Sequence, residues 1–106
     1  MMLDKTERLN ELLDWYEGLL TPKQQEVADL YYREDLSLSE IAELLKTSRA
    51  AVHDSLQRSE STLEHLESQL SLVKSRHERL KYYGQLKALS IEAVNCIVED
   101  LEKCDE

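Results

Sequence analysis

LSLSEIAELLKTSRAAVHDSLQRS, residues 36–59, carries the start and stop signals of two helices and of the short turn between them. Ser37 followed three residues later by Glu40 is a capping box, and Leu36 stands where a hydrophobic staple to Ile41 would begin, so a helix is expected from Leu38 onward. Ile41, Ala42, Leu44 and Leu45 make its inner face, with Ala42 small where two helix backbones approach. Lys46, Thr47 and Ser48 interrupt the apolar spacing, and the Ser48 hydroxyl can accept from the free N–H groups of a second helix. That helix turns Val52 and Leu56 inward. Arg49, Ala50, His53, Asp54, Gln57 and Arg58 are left outside, where a DNA-reading helix presents its contacts, and the whole is the pattern of a helix-turn-helix.

Upstream, Leu9, Leu12, Leu13, Trp15, Tyr16, Leu19 and Leu20 form a helical stripe between Leu3 and Leu20, and Gly18 suggests where that helix stops. Thr21-Pro22-Lys23-Gln24 starts another: Thr21 caps, Pro22 takes the first helical position and Gln24 can close a capping box. Val27, Leu30 and Tyr31 are expected to face the core, and Glu34-Asp35 ends the helix. Three helices thus precede the one that begins near Arg49.

Downstream, apolar residues three and four apart continue through Val52, Leu56, Ser59, Leu63, Leu66, Leu70, Val73, His77 and Leu80, which are heptad a and d positions. A helix unbroken from Arg49 to Tyr83 would be about 52 Å long. Such a rod must either pair with a second chain through Leu63, Leu66, Leu70, Val73 and Leu80, or break near Ser71 or Ser75 and fold back. In the first case Glu60, Glu67, Lys74 and Lys81 at the e positions favour an antiparallel pair, with Glu67 beside Lys74 and Glu60 beside Lys81 of the partner. Gly84 is expected to end the helix. Ser90 would then cap a last one, whose Ile91, Val94, Ile97, Val98 and Leu101 form an apolar face packed on the rod.

The chain has 106 residues, with two glycines and one proline, and no strand pattern competes with helix. The expected fold is all-α: a helix-turn-helix bundle over residues 1–62, then a helical extension and oligomerisation segment over 63–106. No apolar run approaches the ~20 residues of a membrane span, and there is no signal peptide or lipidation motif, so a cytoplasmic protein is expected. Cys96 and Cys104 are too far apart along one helix to bridge, and free thiols fit a reducing compartment.

Charge bounds the partners. The net charge is −9, from 22 acidic and 13 basic residues. Residues 1–73 hold 7 basic and 15 acidic side chains, residues 74–87 hold 5 and 1, and residues 88–106 hold 1 and 6. Duplex binders displace counterions with basic surface, so this balance disfavours duplex DNA as a partner. Two segments remain candidates. Arg49, His53, Gln57 and Arg58 would be the nucleic-acid contacts of the helix-turn-helix, unless that motif serves only as a packing unit. Arg76, Arg79, Lys81, Tyr82 and Tyr83, with Lys74 and Lys87, could grip RNA or a protein partner, unless these cations instead neutralise acids across a coiled coil. His53, His65 and His77 have no ligand-like spacing, no phosphate loop or nucleophile constellation stands out, and neither a metal, a cofactor nor an enzyme is expected.

From Leu9 to about Leu66 the sequence resembles the helix-turn-helix of region 4 of bacterial sigma factors, and LLTPKQQEVADLYYREDLSLSEIAELLKTSRAAVHDSLQRSE, residues 19–60, carries the likeness in its Thr-Pro start, its Leu-Ser-x-x-Glu-Ile-Ala core and its Val-x-x-x-Leu helix. It departs from that module at Lys46, where the turn usually has glycine, and at Ser55, Ser59, Glu60, Ser61 and Thr62, where the helix is usually basic. LLDWYEGLLTPKQ (12–24), LYYREDLSLSEIAELL (30–45) and SRAAVHDSLQRSESTLEHLE (48–67) together are similar to the small acidic YlxM family. That resemblance implies an all-helical, non-enzymatic regulatory protein of the signal recognition particle pathway, touching the particle's protein or RNA. A DNA-binding transcriptional regulator is the alternative.

Overall fold

The computed structural model describes residues 2–105, and these form six helices and no strand. They are α1 (Met2–Tyr16), α2 (Pro22–Ala28), α3 (Leu38–Leu45), α4 (Arg49–Leu70), α5 (Leu72–Ala88) and α6 (Glu92–Cys104). The chain divides into two compact units, one reaching Leu70 and the other starting at Ser71. The division lies beyond residue 62, where the sequence reading placed it, because α4 passes through that point unbroken.

In the first unit α1, α2 and α3 all pack on α4. Both capping boxes form: Thr21 with Gln24 opens α2 and Ser37 with Glu40 opens α3, each by reciprocal side-chain and backbone bonds of 3.1–3.2 Å. Leu9, Leu12, Leu13, Tyr16, Leu20, Val27, Ile41, Val52, Leu56 and Leu63 are buried at the centre. Leu44, expected on the inner face of α3, is 60% exposed and Leu45 is only half-buried, so Ile41 and Ala42 alone make that face, and two further stretches differ. Leu19 is exposed, since α1 ends at Tyr16 and a 3-10 turn over Glu17–Leu19 swings it outward. Tyr32 is buried in place of Tyr31, which with Leu30 is only half-buried. A π-helical turn over Asp29–Arg33 follows α2, and its extra residue per turn delays the inward position by one.

The turn between α3 and α4 is built on Lys46, whose φ of 55° is left-handed, so the expected glycine position is filled by a lysine in glycine's conformation. The Ser48 hydroxyl then accepts from Ala51 N–H at 3.0 Å. Along α4 the buried positions are Val52, Leu56, Ser59, Leu63 and Glu67. Up to Leu63 they coincide with the heptad stripe; beyond it the inner face drifts to Glu67, as a straight helix of 3.6 residues per turn must. The 35-residue rod is not formed. Ser71, with φ 53°, breaks the hydrogen-bond ladder after Leu70, which is the break the sequence reading kept open.

The second unit is a hairpin of α5 and α6. Gly84 lies inside α5, which runs on to Ala88, so it is not the expected terminator. A glycine without positive φ is an ordinary, if weak, helical residue. Ser90 does not cap α6 either: it takes φ 56° and closes the end of α5 through its N–H to Lys87 O at 3.0 Å, leaving Ile91 before the first turn of α6 with no side-chain cap. Arg79 and Tyr83 both donate to Asp105, at 3.1 and 2.7 Å, and Lys87 pairs with Glu102 at 2.6 Å, which fixes the two helices antiparallel. Val73, Tyr83 and Val98 are the buried apolar residues of this unit. No described helix is long and apolar enough to cross a membrane.

Candidate nucleic-acid interface

The first three turns of α4 present a polar, exposed face. Arg49, Ala50, His53, Asp54, Gln57 and Arg58 are all exposed, as the spacing of Val52 and Leu56 required. Arg58 and Asp54 pair across one turn at 3.0 Å, so the acid on this face is neutralised locally. Gln24, from the first turn of α2, joins Asp54, Gln57, Arg58, Ser61 and Thr62 around an open groove. Lys23 beside it, Lys46 in the turn and Arg49 at the start of α4 are exposed and make no ion pair among the described residues.

The acids that follow on α4 point elsewhere. Glu64 is held by Arg8 of α1 in a bidentate pair at 2.7 and 2.8 Å. Glu60 accepts from the Tyr32 hydroxyl and pairs with Lys5 at 3.6 Å, and Glu67 accepts from the buried Tyr16 hydroxyl at 2.6 Å. Burial, and then the Glu60 hydrogen bond and charge, push the Tyr32 phenol well above its usual range, while Glu64 raises the Arg8 guanidinium. Arg33 is similarly consumed, by Glu17, Asp14 and Asp29 at 2.6–3.2 Å. The three glutamates therefore bind α4 to the rest of the bundle. They are not available for the expected antiparallel pairing, in which Glu60 and Glu67 were to meet lysines of a second chain.

This polar seam is what reading the sequence missed. Its signal was present: Glu60, Glu64 and Glu67 surround Leu63 at spacings of three and four, on the inner side of α4, and Lys5 and Arg8 are spaced to meet them. Acidic surface does remain on α3, where Glu40 and Glu43 flank Leu36 and the exposed Leu44 around a separate depression.

The second candidate segment is divided. Arg79 and Tyr83 are taken by Asp105, and the hydrogen bonds from Tyr83 and Arg79 hold the Asp105 carboxyl below the usual range. Arg76 is half-buried, and Lys81 and Tyr82 are exposed. Of the five residues expected at an oligomer interface, Leu63 and Val73 are buried within the single chain, Leu66 is half-buried, and Leu70 and Leu80 are exposed. Cys96 and Cys104 are free and exposed, and no group of three potential metal ligands occurs among the described residues.

The family described as "Putative helix-turn-helix protein, YlxM / p13 like" matches residues 3–103. UPF0122 protein YlxM of Bacillus subtilis (strain 168) is 44% identical over 110 residues, covering 99% of this chain and 100% of that protein. A UPF0122 protein of Oceanobacillus iheyensis is 46% identical over 91 residues, covering 86% of this chain and 87% of its own. A UPF0122 protein of Bacillus thuringiensis (strain Al Hakam) is 44% identical over 110 residues, covering 98% and 100%.

Proposed function

Because this chain belongs to the YlxM / p13-like family of helix-turn-helix proteins, we propose that it is a non-enzymatic, cytoplasmic regulatory protein that contacts nucleic acid through the exposed first half of α4. On our reading that contact belongs to the signal recognition particle pathway, with the particle's RNA, held together with its protein, as the ligand. The observation that carries the reading is the division of α4: Glu60, Glu64 and Glu67 are spent on α1 and the π-helical turn, whereas Arg49, His53, Gln57 and Arg58 stay outside. Three of the acids that weighed against phosphate contact thus lie off the face that would make it, and Asp54 on that face is paired with Arg58.

Duplex DNA is the second reading, and one feature favours it. The exposed residues lie at the N-terminal end of the second helix of a helix-turn-helix, which suits the wide major groove of B-form DNA better than the deep, narrow one of A-form RNA. Fluorescence anisotropy separates the two. Labelled particle RNA, with and without the particle's GTPase subunit, is titrated beside duplex DNA over a salt series. The pathway reading expects binding to the RNA or its complex and a loss of about tenfold or more in Arg49→Glu/Arg58→Glu. Steeply salt-dependent binding to duplex alone would install the second reading, and binding to neither, or binding indifferent to the charge reversal, would sink both.

A further inference from the structure

The α5–α6 hairpin buries few apolar side chains but leaves many outside. Tyr82, Leu89 and Ile97 are each 61% exposed, Leu101 is 41% and Leu86 is 37%. At 100° per residue, Tyr82, Leu86 and Leu89 lie to one side of the Val73–Tyr83 line along α5, and Ile97 and Leu101 lie to one side of the Val94–Val98 line along α6. In an antiparallel pair these are the same side, so the five residues share one face of the hairpin. Arg79, in the same arc as Leu86, is already neutralised by Asp105 at 3.1 Å. The five side chains offer roughly 500 Å² of surface, more than the few hundred Å² of an ordinary monomer's patch and a large part of the ~800 Å² that each partner of a stable complex covers.

We propose that this face is covered by the same face of a second copy of the chain, two hairpins closing into a four-helix bundle and making the protein a homodimer. A face depleted of charge and bounded by polar residues is the composition of a homodimer core. The hairpin is also self-complementary: α5 carries five basic residues and one acid, α6 four acids and one lysine, so α5 of one copy set near α6 of the other brings opposite charges together. The acids of α6 repel phosphate, which argues against nucleic acid or an anionic lipid surface as the occupant. Two hairpins together supply the apolar layers that a 36-residue pair of helices lacks by itself. This interface is not the heptad stripe. Leu63 and Val73 of that stripe are buried in one chain, while Ile97 and Leu101 stand outside it.

Sedimentation equilibrium of the full chain at tens of micromolar tests the proposal, with circular dichroism to follow folding. The wild type is expected to be a dimer and Ile97→Glu/Leu101→Glu a monomer of unchanged helicity. Tyr82→Glu lies on the other helix and is highly exposed, so it keeps the test decisive if the double variant fails to fold; it is expected to weaken dimerisation by about tenfold or more. Leu70→Asp, an exposed position of the heptad stripe, is expected to stay dimeric. A monomeric wild type, an undiminished dimer in Tyr82→Glu, or dissociation of Leu70→Asp would each overturn the proposed interface.

Discussion

The two compact units of this chain solve the same problem, packing amphipathic helices, with unequal means. The unit ending at Leu70 buries thirteen apolar side chains among the described residues, and the unit from Ser71 buries three. The first surrounds α4 with three other helices, so each apolar stripe finds a neighbour. The second has a single pair of helices, and a pair can cover only the strip where they touch. What holds that hairpin together is instead polar and local: Arg79 and Tyr83 on Asp105, and Lys87 on Glu102. The first unit thus largely covers its apolar stripes, whereas the second leaves apolar surface uncovered.

The largest effect expected from breaking this contrast is in the first core. Leu12→Ala, at a fully buried position, should cost about 2–5 kcal/mol in denaturant unfolding of the first unit. Val98→Ala should leave that transition unchanged and instead speed amide exchange in α5 and α6. If both substitutions lowered one shared transition alike, the units would be a single cooperative structure and the contrast would fail. Next comes the buried polar seam. Tyr16→Phe removes the phenol that donates to Glu67 and should cost about 1–3 kcal/mol, measured by the same unfolding experiment. A neutral outcome would mean that Glu67 is satisfied without Tyr16. Arg8→Ala breaks a pair whose side chains are about half exposed, and should cost less than ~1 kcal/mol despite its bidentate geometry.

Smallest at neutral pH, and most selective between the units, are the two tyrosine–carboxylate locks. Asp105 has its pKa lowered by Tyr83 and Arg79, so its contribution is complete above the ordinary carboxylate value of about 4 and is lost as pH falls through the depressed value in the folded chain. The protection of the α5–α6 amides, measured against the intrinsic exchange rate at each pH, should therefore fall in acid, and Asp105→Asn should remove that dependence. Tyr32 has its pKa raised, so its contribution is complete below the usual phenol value of about 10 and is lost as pH rises beyond it. The first unit should then weaken in alkali, with Tyr32→Phe flattening that limb. Tyr83 has its pKa raised by its hydrogen bond to Asp105, so the hairpin should weaken in alkali as well, and an acid-labile first unit beside an acid-stable hairpin would reverse the assignment of the locks.

Much of the first unit was legible in its residues because its signals are local. Capping boxes at Thr21 and Ser37, Pro22 at a helix start and the Ser48 cap each involve groups within three residues, and each forms as expected. The outward set on α4 followed from Val52 and Leu56 by helical periodicity alone, so the candidate interface was legible too. Where backbone irregularity entered, the reading slipped. A π-helical turn exchanged Tyr31 for Tyr32, a 3-10 turn turned Leu19 outward, and Ser90 took up a left-handed conformation that composition does not announce.

The sequence by itself determined an all-helical chain, the positions of the helix-turn-helix, and which side of α4 faces out, because caps and periodicity act within a turn or two of the backbone. Only the tertiary structure decided the fate of the apolar stripe and of the charges along α4. A stripe every three or four residues is the same whether it meets a second chain or three helices of its own, and Leu63 proves to be filled by its own bundle. Likewise a glutamate counts as −1 wherever it points. Whether Glu60, Glu64 and Glu67 repel a polyanion or clasp Lys5, Arg8, Tyr16 and Tyr32 depends on α1 and the π-helical turn lying beside them, 28 to 56 residues away in sequence and within hydrogen-bond or ion-pair reach in space.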